Sequence, residues 1–109
     1  MKKKITYTFS ISEIVALDEV INQYLSRYEI DLNFLDESLS KLVLFEWYKR
    51  HLPKFKFPQD KTKISFKQTE YIAFLSHFQE VDHYLIDNIC REVVTILTGG
   101  NVDEKGYLK

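Results

Sequence analysis

The chain of 109 residues holds one cysteine, three glycines and two prolines, and each scarcity removes a class of answer. A single Cys90 closes no internal disulfide, which excludes a small stapled scaffold. A lone thiol inside a helical pattern reads as a buried side chain in a reducing compartment. The glycines, Gly99, Gly100 and Gly106, all fall at the far end. A body without glycine has no phosphate-cradling loop and no nucleophile elbow, since both need backbone that other residues resist. No apolar run approaches the about 18 residues that a membrane span requires. Met1, Lys2, Lys3 and Lys4 look like the basic start of a secretory signal, but no uninterrupted apolar stretch follows. The expectation is a cytoplasmic protein, or one built into an assembly made in the cytoplasm.

What is present is an ordinary globular mixture, 45% hydrophobic and 28% charged, with an aromatic share of 15% that is high enough to serve both a core and an interface. Residues 1–98 are read as one domain and 99–109 as a loose tail. Richness in Lys, Ile, Tyr, Phe and Asp beside few Gly, Pro and Ala suits an AT-rich bacterial or phage genome.

Hydrophobic spacing divides the chain. Ile5, Tyr7 and Phe9 alternate with Lys4, Thr6 and Thr8, predicting a half-buried strand. Ser10 or Ser12 then caps a helix, Ser10 with Glu13 at capping-box spacing, whose face is Ile14, Leu17, Ile21, Tyr24, Leu25 and Tyr28. A second helix begins near Phe34 or Asp36, with Asp36 or Ser38 as cap, and runs to His51 or Leu52 until Pro53 stops it. Its stripe is Leu35, Leu39, Leu42, Phe45 and Tyr48 or Leu52, with Val43, Leu44 and Trp47 lying off the stripe. Residues 53–61 are expected to be an extended, exposed connector. Lys63 to Phe66 alternate again, and Thr69 opens a long helical pattern to Leu97, through Tyr71, Phe74, Phe78, Leu85, Ile89 and Val93. Such a helix would be about 40 Å long at 1.5 Å per residue, so a break near Gln79 to Asp82 is plausible. The two strand-to-helix passages align without gaps, Phe9 to Leu17 on Phe66 to Phe74. Phe, a hydroxyl cap, Glu and Ala recur at matching places, as in an internal duplication or in two solutions of one packing problem. The predicted architecture is α+β, a small two-stranded sheet on three helices in the order β-α-α-β-α.

Motifs for chemistry are thin. Glu80, His83 and Asp87 would share one side of an unbroken helix, and Glu-x-x-His is the spacing of carboxylate-bridged metal bundles. Those bundles need the motif twice, and the second copy is missing; a solvated face with a local ion pair is the plainer reading. Cys90 alone makes a poor zinc set. His51 at a helix end reads as a cap rather than a catalyst. No enzyme, metal, cofactor or small-molecule substrate is therefore expected.

The expected role is a non-catalytic protein-protein interaction module that self-associates or docks on a larger bacterial or phage assembly. Surplus apolar surface from the second and long helices, Leu44, Trp47 and Ile86 among it, would meet the partner, and the open edges of a two-stranded sheet would add strand pairing. The alternative comes from charge. Lys49, Arg50, Lys54, Lys56, Lys61, Lys63 and Lys67 span a stretch with one acid, Asp60. Lysines interleaved with Phe55, Phe57 and Phe66 fit single-stranded nucleic acid, held by Lys54, Lys56, Phe57, Lys61 and Lys63. Edge lysines that merely discourage aggregation are the bland reading of the same residues.

Overall fold

The strand of alternating residues forms as read. In the computed structural model, which describes residues 3–25, 33 and 35–99, β1 runs Lys4–Phe9 and pairs antiparallel with β2, Thr62–Lys67. Between them come α1 (Ile11–Leu25), α2 (Leu35–Arg50) and α3 (Leu52–Lys56), and after β2 come α4 (Gln68–Phe78) and α5 (Tyr84–Leu97). The fold is a small α+β arrangement with a two-stranded sheet. Among the described residues no helix is long and apolar enough to cross a membrane. The expected end of the first helix near Tyr28 and the tail from Gly100 onward lie outside the described residues.

Each strand hands its chain to a helix by the same local chemistry. Ser10 starts α1, its amide donating to Glu13 Oε1 at 2.8 Å and its hydroxyl accepting from the Glu13 amide at 3.3 Å, the reciprocal pair of a capping box. Lys67 starts α4 with the glutamate half alone: its amide donates to Glu70 Oε1 at 2.7 Å, since a lysine side chain has no acceptor to return. The recurring glutamate is thus the working part of the repeat. The hydroxyls Ser12 and Thr69 are not the caps. The register sets Tyr7 against Ile64, its own counterpart in the alignment, with Ile5 against Phe66 and Phe9 against Thr62. A local two-fold axis passing through the Tyr7–Ile64 pair therefore relates the two strands.

The core gathers on the inner face of this sheet. α4 is central, touching both strands and lying between α2 and α5. Trp47 is its keystone, stacked on Phe66 at 4.6 Å between ring centroids and edge-on to Phe55 and Phe74. Its indole N–H is satisfied, donating to the Ser65 carbonyl at 2.9 Å.

Three readings need correction. The connector 53–61 is not wholly extended: Pro53 sits in the first turn of α3, where its missing N–H costs nothing, and Phe55 is buried, stacking on Tyr48. The stripe chosen for α2 is partly the wrong side. Leu35 and Leu39 are 58% and 61% exposed, while Leu44 and Trp47 face inward. Apolar residues encircle that helix, so spacing alone could not choose a face. Asp36 and Ser38 lie within the first turn of α2 rather than ahead of it, where an N-cap sits. The long pattern does break. α4 ends at Phe78, and α5 restarts after His83, whose Nδ1 accepts the Leu85 amide at 3.2 Å as an N-cap. Gly99, at φ +68, closes α5 with its amide on the Ile96 carbonyl.

Candidate nucleic-acid interface

The residues named for a protein interface are not at the surface. Leu44, Trp47 and Ile86 are each 0% exposed, members of one continuous core. The second helix turns Leu44 and Trp47 inward, against α4 and β2, and leaves Leu35 and Leu39 outside. A partner cannot reach these three without unfolding the chain.

The basic residues fare differently. α3 turns the chain back beside β2, closed by the Phe57 amide on the Pro53 carbonyl at 2.9 Å. The next loop is clamped by Thr62, whose hydroxyl accepts from the Gln59 amide at 3.0 Å and donates to the Gln59 carbonyl. Between these segments lies an open groove of about 430 Å³ lined by Pro53, Lys54, Phe57, Lys61, Thr62 and Lys63, with Gln59 at its rim. Four of the five residues proposed for nucleic acid from the sequence thus share one depression. Lys56 is exposed at the end of α3 but does not line it.

Phe57 is 80% exposed, the most uncovered large apolar side chain among the described residues. An aromatic ring left in water beside lysines forgoes about 1.5–3 kcal/mol of burial, which a stacked partner would recover. Lys61 holds φ 62, a left-handed backbone that costs a residue with a Cβ on the order of 1 kcal/mol. Strain at a ligand-facing loop is a common companion of function.

The basic surface continues onto the outer face of the sheet, where pairing of the two strands brings the N-terminal lysines toward those of the 49–67 stretch. There the exposed side chains are Lys4, Thr6 and Thr8 on β1 and Lys63 and Lys67 on β2, with Ser65 half-buried between them. Lys4 lies directly opposite Lys67. Like charges in that position repel, and the Glu70 carboxylate near Lys67 offsets part of it. Among the described residues the ion pairs are Lys41 with Glu37 and Arg50 with Glu70, so Lys4, Lys54, Lys56, Lys61 and Lys63 form no ion pair. Alternation of β1 and β2 was the available signal; the missing piece was the register. Lys49 and Arg50 do not join this surface in the same way, since Lys49 sits over the Phe45 ring and Arg50 is spoken for.

Arg50 grips Glu70 with both guanidinium arms, Nη2 to Oε1 at 2.8 Å and Nη1 to Oε2. Burial by itself would raise the Glu70 carboxyl; Arg50 and the Lys67 amide outweigh it and hold the group below its ordinary value. His51 is buried beside them, its Nε2 donating to the Ser65 carbonyl at 3.0 Å. Burial, with Arg50 and Lys54 adding their charge, pushes its pKa down and keeps the ring neutral. His51 is thus a structural donor to a strand and not a cap on terminal carbonyls.

The metal-like trio dissolves. Glu80 lies in the turn after α4, His83 spends its Nδ1 on capping and Asp87 belongs to α5. Among the described residues, no three His, Cys, Asp or Glu side chains come together. A larger groove of about 600 Å³ between α4 and α5 holds Gln79, Asp87, Arg91 and Thr95 around Cys90. Its one acid and one base cancel. Burial and the nearby Asp87 push the Cys90 thiol up to about 11, away from reactive thiolate.

No protein-family model matches the chain, and neither the curated proteins nor the solved structures yield a match.

Proposed function

We propose that this chain is a non-catalytic binding module that holds single-stranded nucleic acid along the groove between α3 and β2 and the adjoining outer face of the sheet. One observation carries the reading: Phe57, stripped of protein cover, stands in a depression with Lys54, Lys61 and Lys63, none of them paired with a carboxylate. Lysine ammonium groups take the phosphates, and the ring takes a base. A single strand offers open base faces that a duplex keeps stacked internally, so an exposed ring favours the single strand. Lys54 donates one of its three hydrogens to the Lys63 carbonyl at 2.7 Å and keeps two for a phosphate. The modest net charge of −1 does not oppose this, because binding responds to the local field, and the basic stretch that forms the groove carries one acid, Asp60, against its lysines.

The test is a fluorescence-anisotropy titration with a labelled single-stranded oligonucleotide at two salt concentrations, with the matching duplex and poly-glutamate as competitors. Affinity is expected to fall with salt at a slope of about −0.7 per phosphate held, so about −2 to −3 in all. Phe57→Ala should weaken binding about 5- to 100-fold, while Lys61→Gln and Lys63→Gln each remove about one slope increment. Binding that ignores salt, or a Phe57→Ala variant equal to the parent, defeats the reading. Equal competition by poly-glutamate would point to an acidic protein surface as the ligand.

A further inference from the structure

The sheet has two outer margins, and only one is closed. On β2 three outward groups are taken from the side: the Ser65 carbonyl by Trp47 and His51, the Lys63 carbonyl by Lys54, and the Lys67 amide by Glu70. In an antiparallel ladder those same residues face Thr6, Thr8 and Lys4, whose own outward amides and carbonyls therefore line the free margin of β1. Among the described residues no side chain bonds to them. We infer that this margin is the seam of a homodimer, two copies pairing β1 with β1 about a two-fold axis at Thr6 to give a four-stranded sheet.

The strand is complementary to itself in that register. Thr6 meets Thr6 of the second copy, and Lys4 meets Thr8, forming roughly six main-chain hydrogen bonds across three facing pairs. Lysine guards an edge by meeting another lysine; here it meets a threonine, so the guard does not act against this partner. A foreign strand would have to supply the same spacing of uncharged residues opposite Lys4, whereas a second copy supplies it automatically. On the inner side Ile5 falls opposite Tyr7 of the other copy, extending the apolar row. On the outer side the two sheets join into one face, with Ser65, Thr6, Thr6 and Ser65 as a central hydroxyl strip flanked on each side by three lysines, Lys67 and Lys4 of one copy and Lys63 of the other. The pairing stands by itself. Its use as a wider phosphate-binding face rests on the reading of the preceding subsection.

The experiment is sedimentation velocity on the full chain without nucleic acid, over a range from low to high micromolar. The parent should pass from monomer to dimer. Thr6→Lys and Thr6→Glu each put like charges face to face at the axis and should dissociate about tenfold more readily. An equimolar mixture of the two should recover dimer, as heterodimer. Circular dichroism melts keep the result interpretable, because position 6 faces Ser65 within one copy and either substitution should leave the fold intact. A parent that stays monomeric throughout, or variants that dimerise as the parent does, overturn the seam. The anisotropy titration is scored separately, so loss of one proposal leaves the other standing.

Discussion

The two strand-to-helix units of this protein begin alike and end differently. In both, a strand ends on an inward Phe, a glutamate at the third helical position takes the amide of the residue that starts the helix, and an Ala follows where the helix passes close to its neighbours. Yet Glu13 is half-buried with Ser10 as its whole company, whereas Glu70 is 6% exposed and also holds Arg50. The difference comes from α2 and α3, which lie against the second unit and cover its edge. The same local motif is a surface cap in one place and, in the other, the anchor of an ion pair buried at its glutamate end. Local sequence sets the motif, and what the rest of the chain lays against it sets its energy.

The comparison can be broken most severely at Trp47. Trp47→Ala removes the stack on Phe66 and the donor to Ser65 at once, and should cost about 3–5 kcal/mol by urea unfolding. A cost near that of an exposed residue would mean α2 does not hold the β2 margin. Next come the paired glutamates. Glu70→Gln should cost about 1–3 kcal/mol, held to that range because Arg50 is itself partly exposed and can recover water, while Glu13→Gln should cost about 0.5 kcal/mol. Equal costs would erase the distinction between the units.

Acid should act on the same closed margin. The folded chain keeps His51 and His77 below their ordinary value of 6.5, His51 chiefly through burial and His77 likewise, with Lys41 contributing. As pH falls past that value the unfolded chain takes up protons first, so stability declines. Glu70, depressed below 4.5, contributes in full above that value, and its share is lost as pH falls through its folded pKa. All three shifts have one sign. The urea midpoint should drop between about pH 7.5 and about pH 5.5, and His51→Gln, whose amide can still donate to Ser65, should flatten the drop. A midpoint that rises on acidification contradicts this.

The smallest expected effect has the opposite sign and sits on the local axis itself. Tyr7 faces Ile64, and among the described residues its buried hydroxyl makes no hydrogen bond of full geometry, the Glu92 carboxylate being the acceptor near it. Burial, followed by the nearby Glu92, drives its pKa far up. Tyr7→Phe should be neutral or stabilising by up to about 1 kcal/mol in the same assay. A clear loss would reveal a bond that the present geometry does not make.

The parts of the fold governed by neighbours in sequence were legible before any coordinates. Both strands, the Ser10–Glu13 cap, the break after Phe78 and the likeness of the two units follow from alternation, spacing and short-range hydrogen bonds. The facing of α2 was not legible, because leucines, valine, phenylalanine and tryptophan surround it and only the contact with Ser65 selects a side. The same ambiguity made Leu44, Trp47 and Ile86 look like surplus when they are the middle of the core. Pro53 read as a stop because a proline inside a helix is one, though in a first turn it starts one. At the candidate site, Phe57 and the loop lysines were visible as composition, whereas Lys4 and Lys67 required knowing which residue of one strand faces which of the other.

The chain has a single tryptophan, and that indole is sealed inside, bonded to the inner side of the strand that carries Lys63 and Lys67. Its emission should therefore track chiefly whether the molecule is intact, since solvent and ligand reach only the opposite face of that strand, where the exposed ring is a phenylalanine that does not fluoresce in the same window. Unfolding and ligand capture consequently occupy separate optical channels, and one unlabelled sample can be followed for the first while a dye on the ligand reports the second.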